Sequence, residues 1–213
     1  RFIRWAKEYY DTAELEWVTF AYPFSGSYDG GGYSISGLSI GSESQPSNYM
    51  AAGLFGLTEG EYSTNEAPEE SQNAVRLRNI TLKDAAIYTT GHQTYTGGLV
   101  GSGQNGILID NCSVTGTVHA YTTDSFARAG GLAGSLLRGH AADCWTNTDT
   151  YAHTTQSSSY SGGLCAMSNR IAMLNCYTLG TTRAYADSNE RAYAGGISAF
   201  AGELKYNVYA YGD

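Results

Sequence analysis

Four histidines, His92, His119, His140 and His153, and a scatter of carboxylates have the widest chemical reach in this chain. A zinc hydrolase needs two histidines one helical turn apart with a glutamate beside the first. None of the four begins His-Glu-x-x-His. The cysteines, Cys112, Cys144, Cys165 and Cys176, form no Cys-x-x-Cys, and no histidine stands at zinc-finger spacing from them. No serine occupies a strand–turn–helix elbow of the Gly-x-Ser-x-Gly kind. "GSGQNG" at 101–106 has phosphate-loop glycines but no Lys-Ser or Lys-Thr after them. The residues therefore predict neither a catalytic group nor a metal site.

Carboxylates remain to be considered. Glycoside hydrolysis needs two of them facing one bond. Here they are dispersed as Asp29, Asp84, Asp110, Asp124, Asp143, Asp149 and Asp187. Only Asp110 and Asp143 fall at neighbouring places in the repeat described below. The acidic run Glu59, Glu61, Glu66, Glu69 and Glu70 has the oxygens for weak calcium binding, but reads better as a solvated loop. No other cofactor is expected.

Such residues must be positioned by something, and composition narrows what. The chain has 213 residues, enough for one sizeable core. Glycine (27) is roughly twice its usual share of about 7%, proline (3) is scarce and tyrosine (18) abundant. That mixture predicts many short strands joined by turns. A net charge of −8 excludes a nucleic-acid footprint and disfavours an anionic membrane surface. No apolar run is long enough to span a bilayer, so no membrane insertion is expected. The sequence opens at Arg1 with neither a Met nor a signal peptide, and is expected to be a fragment of a larger protein.

The organising feature is a repeat. Asn79, Asn111, Asp143, Asn175 and Asn207 follow one another at intervals of 32 residues. Double glycines begin at 97, 130, 162 and 195, and "AAGLFG" at 51–56 reads as an earlier copy, followed by the insertion "TEGEYSTNEAPEESQ". Before each Asn position apolar residues alternate (Ile107, Ile109; Ile171, Met173). After it they alternate one residue out of step (Cys112, Val114; Cys176, Thr178). Period-two alternation is a half-buried strand, and a parity slip is a bend. Asn tolerates the left-handed backbone that such a corner requires. The five positions are thus expected to stack as a structural ladder, one per coil of about 32 residues. Each coil would hold about three short strands, pairing with its neighbours through parallel sheets. Cys112, Cys144 and Cys176 take inward parity and are expected to be inert core residues. A cross-core disulfide between Cys165 and Cys176 is left open. A short N-terminal helix is expected within "RFIRWAKEYY", giving a lead-in or cap over 1–24 and a repeat domain over 25–213.

"GGLVG", "GGLAG" and "GGLCA", each followed by "NCSVTG", "DCWTNT" or "NCYTLG", resemble GLUG-motif repeats. "PFSGSYDGGGYSISGLSI" at 23–40 resembles the lead-in of such proteins. The resemblance implies an all-β, right-handed parallel β-helix. It also implies a bacterial surface or secreted setting, as in adhesin-like proteins or the non-catalytic regions of immunoglobulin A1-cleaving metalloendopeptidases.

One surface suits a ligand. Eight residues past each Asn position stand Ile87, His119, Tyr151 and Arg183, and ten past it Thr89, Tyr121, His153 and Tyr185. Alanines lie between them at 120, 152 and 184, a small inner face behind a large outer one. His119, Tyr121, Tyr151, His153, Arg183 and Tyr185 are the candidate binding residues, with sugars or protein partners as the matching chemistry. A second outer column holds Trp145, Tyr177 and Tyr209. The alternative for both is ring stacking that merely stabilises the sheet. The expected function is a non-catalytic extracellular scaffold or adhesin-like domain that meets a host or bacterial surface protein or a glycan. The alternatives are a carbohydrate-active β-helix enzyme or its glycan-binding part, and an accessory region of an immunoglobulin A1-cleaving protease.

Overall fold

The computed structural model describes residues 5–11, 16–20, 22–61, 73–187, 190–202 and 205–211. It is an all-β solenoid of three parallel sheets, and its coils repeat every 32 residues. Within a coil the chain leaves the Asn corner along the first face, as in Ser113–Thr122 and Trp145–Thr154. It then makes a four-residue strand on the second face, as in Ala127–Gly130 and Ser159–Gly162. It returns along the third face, as in Ala133–Ala142 and Cys165–Leu174, to the next corner.

The parity slip is real. Ile107, Ile109, Cys112 and Val114 are all buried, although 109 and 112 differ by an odd number of positions. The residue between them that absorbs the slip, Asn111, has φ 50°. Asn79, Asp143, Asn175 and Asn207 share that left-handed backbone, with φ between 50° and 54°. One turn of chain thus presents two oppositely phased strands to a single core, which runs from Leu38 and Ile40 through Leu77, Leu82 and Ile109 to Met173 and Cys176.

The double glycines turn the chain from the second face to the third. A Cβ on Gly130 would run into the carbonyl oxygen of Ala133 in its own corner, and one on Gly131 into the carbonyl oxygen of Gly163 in the next coil. The corners are packed backbone on backbone: Leu99 N–H donates to Leu132 O at 2.9 Å, and Leu132 N–H to Leu164 O at 2.7 Å. Leu99, Leu132 and Leu164 point inward and are fully buried, and Ile197 occupies the same place in the last repeat. The last repeat, which reads "GGISAF" at 195–200 in place of the Gly-Gly-Leu form, therefore keeps the corner.

The lead-in folds as a coil of its own. Ser27–Asp29 pairs with Val75–Arg78, and Ser34–Ser36 with Thr81–Lys83, both in parallel. The insertion leaves the third face after Phe55–Glu59 and rejoins it at Val75–Arg78, where the following coil has only Asn105 and Gly106. Of the acidic run, Glu66, Glu69 and Glu70 lie outside the described residues. Glu61 accepts a hydrogen bond from Asn73 at 2.9 Å.

The N-terminal helix is a correction. Trp5–Asp11 is a strand, in antiparallel register with Glu16–Phe20 on one side and with Ala51–Ala52 on the other. Trp and Tyr favour extended backbone, and the open edge of the second face offers unpaired main-chain groups to pair with. Those groups decide against a weak helical period.

Candidate functional site

The corner ladder forms with a direction. Asn111 Nδ2 donates to Asn79 Oδ1 at 2.9 Å, and Asn79 Nδ2 to Asp29 Oδ1 at 3.0 Å. Asn207 Nδ2 donates to Asn175 Oδ1 at 3.0 Å, and Asn175 Nδ2 to Asp143 Oδ1 at 3.1 Å. Every amide donates toward the N-terminus. A carboxylate has no N–H, so Asp143 cannot donate to Asn111, and the ladder breaks into two runs of three, each begun by an Asp. Asp29 is a ladder member that the 32-residue spacing hides, because the insertion lengthens its interval to 50. Its carboxyl is held below the usual value by the Asn79 and Gly31 hydrogen bonds and by Arg78, which it meets at 2.8 Å.

Cys112, Cys144 and Cys176 are buried as expected. Each thiol points to the carbonyl oxygen two residues before it, at 3.2, 3.1 and 3.2 Å respectively. The thiol of Cys144 is pushed well up by its two neighbours in the sulfur column and by burial. All four cysteines are free, so the open Cys165–Cys176 pairing is not made.

Asp110 and Asp143 take different partners. Asp110 Oδ1 meets His140 Nε2 at 2.6 Å, while Asp143 takes its corner as the Asn substitute it resembles. Among the described residues no three His, Cys, Asp or Glu side chains gather as a metal site would require.

The six candidate binding residues come together on the first face. His119 registers with Tyr151 and Tyr151 with Arg183, while Tyr121 registers with His153 and His153 with Tyr185. Ring centroids lie 5.5 Å apart for His119–Tyr151, 5.1 Å for Tyr121–His153 and 4.9 Å for His153–Tyr185, all edge to face. The two columns join through Tyr151 and His153 at 6.0 Å. Arg183 is tied to Asp149, with one Nη 2.9 and 3.0 Å from the two carboxylate oxygens. Burial holds His119 below its ordinary value, against the pull of Asp149. Its Nε2 is buried without a hydrogen-bond partner among the described residues, in keeping with a neutral ring between Tyr88 and Tyr151.

One pair of assignments changes. Ile87 and Thr89 are buried, not outward; the outer neighbours of His119 and Tyr121 are Tyr88 and Thr90. The cause is a bulge. Lys83 and Asp84 together face Thr115, Asp84 takes φ 53°, and its N–H donates to Thr115 Oγ1 at 3.1 Å. One extra residue moves every later side chain to the other face. The second outer column forms as expected: Trp145, Tyr177 and Tyr209 are in register, and the Trp145 and Tyr177 rings stack at 5.9 Å.

A third column, on the second face, was not anticipated. Tyr95, Arg128, Tyr160 and Tyr193 stand in one register, two residues before each double glycine. That fixed offset was the available signal. Arg128 interrupts the tyrosines at that offset.

The family model for the GLUG motif matches residues 92–118, which hold the second-face strand, the "GGLVG" corner, the third-face return and the Asn111–Cys112 corner of one coil. No curated protein and no solved structure gives a match. The chain carries a GLUG motif within a parallel β-solenoid whose coils repeat that unit.

Proposed function

We propose that this GLUG-bearing solenoid is a non-catalytic scaffold of a bacterial cell-surface or secreted protein, adhesin-like in that it meets its partner through a flat sheet face. One observation carries this reading. Outward aromatic and imidazole rings keep register across three coils in two adjacent columns, from His119 and Tyr121 to Arg183 and Tyr185. Rungs about 4.8 Å apart spread these side chains over about 10 Å, the span of a short glycan or a peptide segment rather than a deep pocket. Tyr and His on such a face offer both ring surface and hydrogen bonds, as sugar and protein recognition require.

The test compares the wild-type chain with the Tyr121→Ala/Tyr151→Ala double variant on an array of glycans and purified surface proteins. A ligand bound by the wild type and lost by a folded double variant supports the strip. If every ligand bound by the wild type survives the double substitution, the strip is removed from the reading. Release of reducing ends from any polysaccharide by the wild-type chain would overturn the non-catalytic assignment.

A further inference from the structure

We propose that Arg128, with Tyr160 and Arg191, forms an anion station on the second face that takes the carboxylate of an acidic glycan. The starting point is a charge without a counter-charge. Arg128 is only 9% exposed, and its guanidinium carbon lies 4.7 Å from the Tyr95 ring centre, 5.0 Å from Phe126 and 5.6 Å from Tyr160. Among the described residues no carboxylate pairs with it, whereas Arg78 and Arg183 each hold an aspartate. Buried charges are ordinarily paired, and ring faces answer a cation only in part. Among the described residues the site lacks one negative group.

The geometry says where that group sits. Nε of Arg128 is sealed among the rings with no hydrogen-bond partner. The two terminal nitrogens are not sealed and also make no hydrogen bond within the described residues, which leaves the end of the fork to a planar, two-oxygen acceptor. The next rungs add to the site. Tyr160 follows Arg128 in register, and Tyr193 follows Tyr160 with rings parallel and 5.0 Å apart. Arg191, exposed, donates to Tyr193 Oη at 3.4 Å. A guanidinium group therefore meets each ring of the stacked pair, Arg128 at Tyr160 and Arg191 at Tyr193, on a chain whose net charge is −8.

Spacing favours a glycan over an extended acidic peptide. Rungs repeat every 4.8 Å or so, whereas side chains on one side of an extended peptide repeat at about 6.8 Å, so a peptide laid along the axis falls out of step after one contact. A pyranose ring advances its chain by close to one rung, so successive sugars stay in step with Arg128, Tyr160 and Tyr193. This site is on a different sheet from the His119–Tyr185 strip and does not depend on it.

The experiment titrates the intact chain with a galacturonic acid oligosaccharide, its methyl ester and a glutamate-rich peptide, at low and high salt. The expected result is binding of the acid form, at least tenfold weaker binding of the ester, and loss of affinity as salt rises. Arg191→Gln and Tyr160→Phe, which leave the packed rings in place, should each weaken the acid form several-fold. Arg128→Lys should weaken it further while retaining the charge, because the fork is lost. Tyr121→Ala/Tyr151→Ala should bind like the wild type. Equal binding of acid and ester, equal or tighter binding of the peptide, or full affinity in both Arg191→Gln and Tyr160→Phe would each overturn the assignment. So would loss of the acid form in the first-face variant.

Discussion

Asn175 donates its side-chain N–H to Asp143 at 3.1 Å, and Asp143 has no N–H to hand on to Asn111. The ladder that lines the solenoid corner is therefore interrupted halfway, between Asn111 and Asp143, by the chemistry of one side chain. Asp143→Asn should close the gap, joining the Asp29–Asn79–Asn111 run to the run that ends in Asn175 and Asn207, without changing the φ of 52° that both residue types accept. One added hydrogen bond at an exposed corner is worth about 0.5–1.5 kcal/mol. For a chain of this size each kcal/mol moves the melting temperature by about 2–4 °C. A scan of the two proteins should show a rise of that order; a fall would mean that the Asp143 carboxylate has a role the ladder does not explain.

Asn111→Ala should do the reverse, and by more. It removes the bond to Asn79 and places a Cβ-bearing residue without local hydrogen bonding at φ 50°, a strain of about 1–2 kcal/mol. Thr117→Ala, outward on the first face, should cost under about 0.5 kcal/mol. Asn111→Gly relieves the backbone but not the lost bond, so its denaturation midpoint should fall between the two. Equal midpoints for all three would remove the ladder from the account of stability.

The four buried thiols should be silent in the native protein. Cys144 in particular is pushed up by Cys112 and Cys176 and by burial, and the thiolate is the reactive form. A maleimide or disulfide reagent should label them at the rate of unfolding, with all four reacting at once in denaturant. Fast native labelling of Cys112, Cys144 and Cys176 together would place the sulfur column on the wrong side of the sheet.

His119 makes stability depend on pH in a stated direction. Burial lowers its value below the ordinary 6.5, so the folded chain binds fewer protons there than the unfolded chain. Its contribution is complete above pH 6.5 and is lost as the pH falls through the lower folded value. Asp149 and Glu43 oppose the shift and Arg183 assists it. His119→Phe, which keeps a ring between Tyr88 and Tyr151, should flatten the acid-side decline in melting temperature between about pH 7 and pH 5. An unchanged slope would show that His119 titrates as it does in the unfolded chain.

The sequence alone determined the period, the corner and the inward faces. Each is a local rule repeated: Asn accepts a left-handed φ, glycine admits a carbonyl where a Cβ would collide, and alternation of apolar residues names the buried side. Repetition every 32 residues then converts local rules into stacked ladders, because equivalent residues must fall in register. The outward neighbours His119–Tyr151–Arg183 and Tyr121–His153–Tyr185 follow from the same arithmetic.

What escaped this reading has one physical cause: it depends on where the chain departs from its period. The bulge at Asp84 inserts one residue, so Tyr88 rather than Ile87 faces out beside His119. The insertion after Glu59 hides Asp29 as the first rung of the ladder. The N-terminal segment became a strand because a sheet edge, present only once the coils are stacked, was there to pair with it. Arg128 stands in a column of tyrosines, and only packing shows its guanidinium enclosed by three rings with no carboxylate paired to it among the described residues. Periodicity can be counted along a chain, but burial of a charge and the supply of a free edge are properties of neighbours that the fold brings together.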